Sequence, residues 1–130
     1  MTEHPIDAWH RHIRERDLAG LGLLLDDEIL FYSSLVHTPQ RGKRIALAYL
    51  KATFDLVVTV AAFRYTRNII GQSDAAIEFE FDLDGVEVNG VKLLRWNAAG
   101  RITEIKLMMR PLRAMEAVQA RFEKLLQAGR

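Results

Sequence analysis

Between residues 75 and 109 the chain alternates apolar and polar residues through three runs, IEFEFDLDG, VEVNGVKLLRW and RITEIKLMM. A period of two belongs to strands with one buried face, and it is broken here only at Asp84-Gly85 and at 97–100, NAAG. Asp-Gly favours a two-residue hairpin turn, so a three-stranded meander is expected. The remaining segments show helical spacing. The predicted fold class is therefore α+β, with a curved antiparallel sheet wrapped on helices and a pocket inside it.

A chain of 130 residues makes one domain, 1–130, large enough to bury a core without metal or disulfide staples. The absence of cysteine removes disulfides, thiolate nucleophiles and cysteine-ligated zinc together. Eighteen basic and seventeen acidic residues are mixed along the chain, which leaves no electrostatic footprint for nucleic acid or anionic lipid. The polar start, MTEHPIDAWHRHIRERD, lacks an apolar signal core, and no apolar run reaches bilayer-spanning length. An unprocessed cytoplasmic protein is expected, without membrane or nucleic-acid partners.

Pro5 suits the first turn of a helix, and Ile6, Trp9 and Ile13 then recur at helical spacing up to Arg16. Asp17 is a good N-cap for a short second helix with Leu18, Leu21, Leu24 and Leu25 as its stripe, ended by Asp26-Asp27. A strand is predicted over 28–34, with Ile29, Phe31 and Ser33 on one face. The loop LVHTPQRG leads to a helix over 43–59 whose inner side carries Leu47, Leu50, Phe54, Val57 and Val58. A second strand is expected over 63–70. After the meander, Pro111 opens a last helix with Leu112, Met115, Val118, Phe122 and Leu125 as its apolar stripe.

This order of elements resembles the nuclear transport factor 2-like superfamily, the cone-shaped, cystatin-like fold of ketosteroid isomerases and SnoaL-like polyketide cyclases. The likeness rests on RDLAGLGLLLDDEILFYSS, on PQRGKRIALAYL and on GVKLLRWNAAGRITEIKLMM, and it spans nearly the whole chain. SnoaL-like members of unknown function are the nearest likeness. It implies a cone-shaped barrel with a pocket, not a particular chemistry.

In ketosteroid isomerases a helix tyrosine and a protonated aspartate form an oxyanion hole while a second aspartate moves the proton. The resemblance carries these positions onto Trp9, Asn89 and Ser33, and none of the three residues is retained. Trp9 and Asn89 can still donate hydrogen bonds to an oxygen. A hydroxyl without an activating base stays protonated, so Ser33 disfavours steroid-type isomerisation. Two readings stand for Asn89: a buried amide that a ligand satisfies, or one half of an Asn89-Gly90 bulge.

His4, His10 and His12 are read as solvated, and the spacing of His10 and His12 rules out a shared metal. His37, in the loop near the expected mouth, is the one candidate for acid–base work at neutral pH. No metal or cofactor is expected. Glu78, Glu80 and Asp82 alternate with Ile77, Phe79, Phe81 and Leu83, which places the carboxylates outside, paired with Lys92 and Lys106. A one-residue slip would turn Glu78 and Glu80 into the cavity.

The predicted pocket is lined by Trp9, Phe31, Ser33, Phe54, Tyr65, Phe79, Asn89, Val91 and Leu107. It suits a small apolar molecule with one or two polar atoms. The alternatives are a cyclase, dehydratase, isomerase or hydrolase using His37 or a cavity carboxylate, and a dimerisation or protein-partner module. Leu94, Trp96 and Met108 on the outer face point to a homodimer through the sheet.

Overall fold

Three of the four described helices begin where a side chain caps them or proline permits it, and the third in chain order follows Gly42 without a side-chain cap. In the computed structural model, which describes residues 3–34 and 37–128, α1 spans Pro5–Glu15 and the His4 Nδ1 accepts the Ile6 N–H at 3.1 Å. Leu35 and Val36 of the expected loop lie outside the described residues. Arg16 takes a left-handed conformation (φ 53°) that ends α1. Asp17 then caps α2 (Leu18–Leu24), its Oδ1 accepting the Gly20 N–H at 2.9 Å.

Strand β1 (Leu25–Tyr32) starts earlier than expected, so Asp26 and Asp27 lie on the strand and do not end the helix. A two-residue strand, β2 (Gln40–Arg41), precedes α3 (Lys43–Val57). The remaining strands are β3 (Ala61–Ile70), β4 (Asp74–Leu83), β5 (Val86–Trp96) and β6 (Ile102–Arg110), and α4 (Leu112–Ala128) follows.

The strand order is β2-β1-β6-β5-β4-β3, and β1 pairs with β6 in parallel. The sheet is thus mixed and open, in place of the expected antiparallel barrel. Its curvature still makes a cone, with the helices filling the concave side. No described helix is long and apolar enough to cross a membrane.

Asp84 (φ 51°) and Gly85 (φ 86°) both adopt the left-handed conformation that a type I′ hairpin turn needs. From that turn β4 and β5 pair residue for residue, from Leu83 with Val86 to Asp74 with Arg95, without a bulge. Ala75, Ile77, Phe79, Phe81 and Leu83 are buried, so the inner face of β5 carries Val88, Gly90, Lys92 and Leu94. Asn89 and Val91 fall on the outer face beside Glu80 and Glu78. The β4 phase is as expected, and the β5 phase is reversed. Leu94 and Trp96 turn inward and are 1% and 8% exposed, while Met108 stays outside.

Two apolar clusters fill the concave side. One gathers Ile6, Trp9, Leu21, Leu50, Ile77, Leu94 and Ile105; the other gathers Leu56, Phe79, Phe81, Val88, Ala114 and Val118. Each large aliphatic side chain buried this completely contributes about 1.5–3 kcal/mol. The stripe of α4 lies on the second cluster through Ala114, Val118, Phe122 and Leu125, although Leu112 is exposed. This helix packs on α3, β5 and β6 and so closes the cone.

Candidate functional site

Where the two clusters meet, their side chains do not fill the space between sheet and helices. Two adjoining lobes of about 150 and 70 Å³ open there, and they share Thr53, Lys92, Leu107, Met109 and Phe122. Phe31, Ser33, Ser34 and Tyr49 border the larger lobe; Trp9, Tyr65, Ile77 and Phe79 border the smaller. Gln119, Glu123 and Leu126 of α4 form one rim of the larger lobe.

Of the residues predicted to line a pocket, Trp9, Phe31, Ser33, Tyr65, Phe79 and Leu107 do so. Phe54 is buried in the first cluster and borders neither lobe. Asn89 and Val91 are on the opposite side of the sheet, because the unbroken pairing from the Asp84-Gly85 turn sets Gly90 and Lys92 inward; the alternative bulge at Asn89-Gly90 does not form either. The amide of Asn89 donates to Glu78 and Glu80, at 3.3 and 3.1 Å, and has no access to the cavity.

The carboxylates Glu78 and Glu80 face outward as predicted, but their charged partners, Arg67 and Arg64, lie on β3. Arg64 approaches Glu80 at 2.6 Å, and Thr66 donates to Glu78 at 2.8 Å. That hydroxyl and the Asn89 amide hold the Glu78 carboxyl below its usual range. Lys106 lies over the Tyr32 ring at 4.6 Å.

His37 is exposed and borders neither lobe. The first-helix histidines are less solvated than expected. His12 is buried, 3.3 Å from Asp17, and His10 packs edge-on to Tyr65 with ring centroids 5.0 Å apart. Burial lowers the His10 pKa and raises that of Tyr65.

Lys92, expected on the outer face as a partner of the β4 carboxylates, faces inward instead, because the Asp84-Gly85 turn sets it opposite buried Ile77. Paired opposite Ile77 on the inner face, it enters both lobes. Its Nζ stands 5.5 Å from the Trp9 ring centroid and 5.9 Å from that of Phe79. No carboxylate of the described residues lies within ion-pair distance of it. The side chain keeps some accessible surface and lines both lobes, while surrounding protein pulls its pKa down to about 8 by desolvation. Two nearby hydroxyls are engaged: Ser34 donates to the Leu107 carbonyl at 2.8 Å and Thr53 to that of Tyr49 at 2.9 Å.

A cone of four described helices on a curved six-stranded sheet, hollow between two apolar clusters, has counterparts among solved structures. A steroid delta-isomerase from Pseudomonas aeruginosa is 25% identical, with a TM-score of 0.87 over 95% of this chain and 90% of its own. A nuclear transport factor 2-like protein of unknown function from Mesorhizobium loti is 19% identical, with a TM-score of 0.71 over 82% and 88%. The chain has the nuclear transport factor 2-like fold. A SnoaL-like polyketide cyclase, so described, from Shewanella denitrificans shares it at 15% identity and a TM-score of 0.63, over 89% of this chain and 95% of its own. No family model and no curated protein matches the sequence. Neighbours in this fold thus include an isomerase, a polyketide cyclase and proteins of unknown function.

Proposed function

We propose that the cone cavity binds a compact apolar molecule through a polar oxygen facing Lys92. The observation that carries this reading is a cation on an apolar wall, between two aromatic faces, with no carboxylate to neutralise it. An ammonium that no carboxylate of the described residues pairs has donors free for a ligand oxygen, and the apolar wall makes water a poor substitute. The aromatic and aliphatic lining of both lobes would hold the rest of the ligand.

The likeness to an isomerase and a polyketide cyclase supports a cavity-based role. Proton abstraction from carbon is less well supported, since Glu78 and Glu80 point away and His37 is exposed, and the resemblance to ketosteroid isomerases puts Ser33 at the base position. The test is a Trp96→Phe variant, which leaves Trp9 as the single tryptophan, excited selectively over the three tyrosines and titrated with steroid, terpenoid and polyketide-like compounds. Quenching of Trp9 together with a raised melting temperature supports the reading. No response to any class overturns it.

A homodimer through the outer sheet face keeps one supporting feature, Met108 at 43% exposure near Val91, since Leu94 and Trp96 have turned inward. Light scattering on the purified chain decides it: a monomeric mass rejects that assembly.

A further inference from the structure

Five lysines are present, and four of them have ordinary surroundings. Lys43 lies 3.1 Å from Asp27, Lys51 lies 3.9 Å from Asp55, Lys106 covers the Tyr32 ring and Lys124 is exposed. Lys92 alone projects into an enclosed apolar space, between the Trp9 and Phe79 rings. Tyr65 borders the same lobe, Glu123 stands on the rim of the other, and His10 is near enough to feel the Lys92 charge.

We propose that Lys92 captures apolar aldehydes or ketones covalently, as an imine between its Nζ and the carbonyl carbon of a molecule seated in the cavity. This deepens the cavity-binding reading and rests on it.

An amine attacks a carbonyl only in its neutral form, and apolar surroundings favour that form. With its pKa near 8, about a tenth of Lys92 is neutral at pH 7, against roughly one in a few thousand for an exposed lysine. The nitrogen lone pair forms the C–N bond while the carbonyl π pair moves to oxygen, which takes a proton to give a carbinolamine. The hydroxyl then leaves as water with a second proton. An ammonium plus a carbonyl thereby become a protonated imine plus water, with charge conserved and no redox partner required. The product is again a cation, so the aromatic faces that flank the ammonium suit it equally.

The experiment incubates the full chain with cinnamaldehyde and sodium cyanoborohydride at pH 7, followed by peptide mapping of reduced adducts. Labelling of Lys92 at least about tenfold faster than of the other four lysines is expected. Lys92→Met should lose the fast adduct, and excess cinnamyl alcohol, which lacks the carbonyl, should slow it in the unmodified chain. Binding of cinnamyl alcohol is followed separately by thermal shift. Uniform labelling of all lysines while the alcohol still binds overturns the imine and leaves the cavity reading intact. Uniform labelling with no binding of the alcohol overturns both.

Discussion

Lys92 Nζ stands 5.5 Å from the centroid of the Trp9 ring, joining the sheet to α1 across the cavity. Both residues belong to the wall, but only at Lys92 should a substitution affect binding and stability in opposite senses, since Trp9 is a core residue 1% exposed. Lys92→Met replaces a desolvated ammonium by an apolar chain of similar length. It should raise stability at pH 7 by about 1–3 kcal/mol while weakening ligands that offer an oxygen. Denaturant melts and Trp9 quenching measure the two effects.

The pH dependence of stability follows from the same group. Below pH 8 Lys92 is charged in both folded and unfolded chains, and the desolvation cost is fully present. Between about 8 and its ordinary value of 10.5 the unfolded chain binds more protons, so stability rises with pH by about 3 kcal/mol at most. Tyr65, whose pKa is raised, opposes the trend above pH 10. Urea melts from pH 7 to 10 should show this rise in the unmodified chain, and Lys92→Met should abolish it.

Gly90 pairs with Phe79, and a Cβ there would come within 2.5 Å of the Phe79 ring. Gly90→Ala must therefore push that ring, which borders the smaller lobe. A loss of about 1–3 kcal/mol is expected, with weaker ligand binding. Chemical denaturation and a fluorescence titration read the two consequences.

Asn89→Ala separates the two faces of β5. Its amide bonds Glu78 and Glu80 outside the cone, so ligand affinity should stay within twofold while stability falls by about 1 kcal/mol. A large loss of affinity would place Asn89 in the site after all.

Phe122 of α4 borders both lobes. Phe122→Ala, at a partly buried position, should cost about 1–3 kcal/mol, less than truncating a fully buried aromatic, and admit bulkier ligands, measured by melting and by a size series of terpenoids.

Most elements were legible because the chain writes them locally. Pro5, Asp17 and the Asp84-Gly85 turn each begin or reverse an element where local chemistry requires it. The phase of β4 was legible from Ile77, Phe79 and Phe81, all buried. The phase of β5 was not, because two of its inner positions carry glycine and lysine. Gly90 has no side chain because the Phe79 ring fills that volume, and Lys92 lies where an aliphatic residue would be expected. Hydrophobicity alone therefore favours Val91 and Leu93 as the inner positions and carries Asn89 inward with them. Counting pairs outward from the two-residue turn would have placed Lys92 opposite Ile77, since that turn fixes the register. The parallel β1–β6 pairing was out of reach, because it depends on how α3 and the meander return the chain.

The most direct measurement is the titration of the Lys92 side chain by ¹³Cε NMR, assigned with Lys92→Met, without and with cinnamyl alcohol. Titration near pH 8, well separated from the other lysines and shifted by the alcohol, is the result expected of an inward ammonium on the cavity wall. Titration at the ordinary value near 10.5, unmoved by the alcohol, would place Lys92 in solvent and contradict the account.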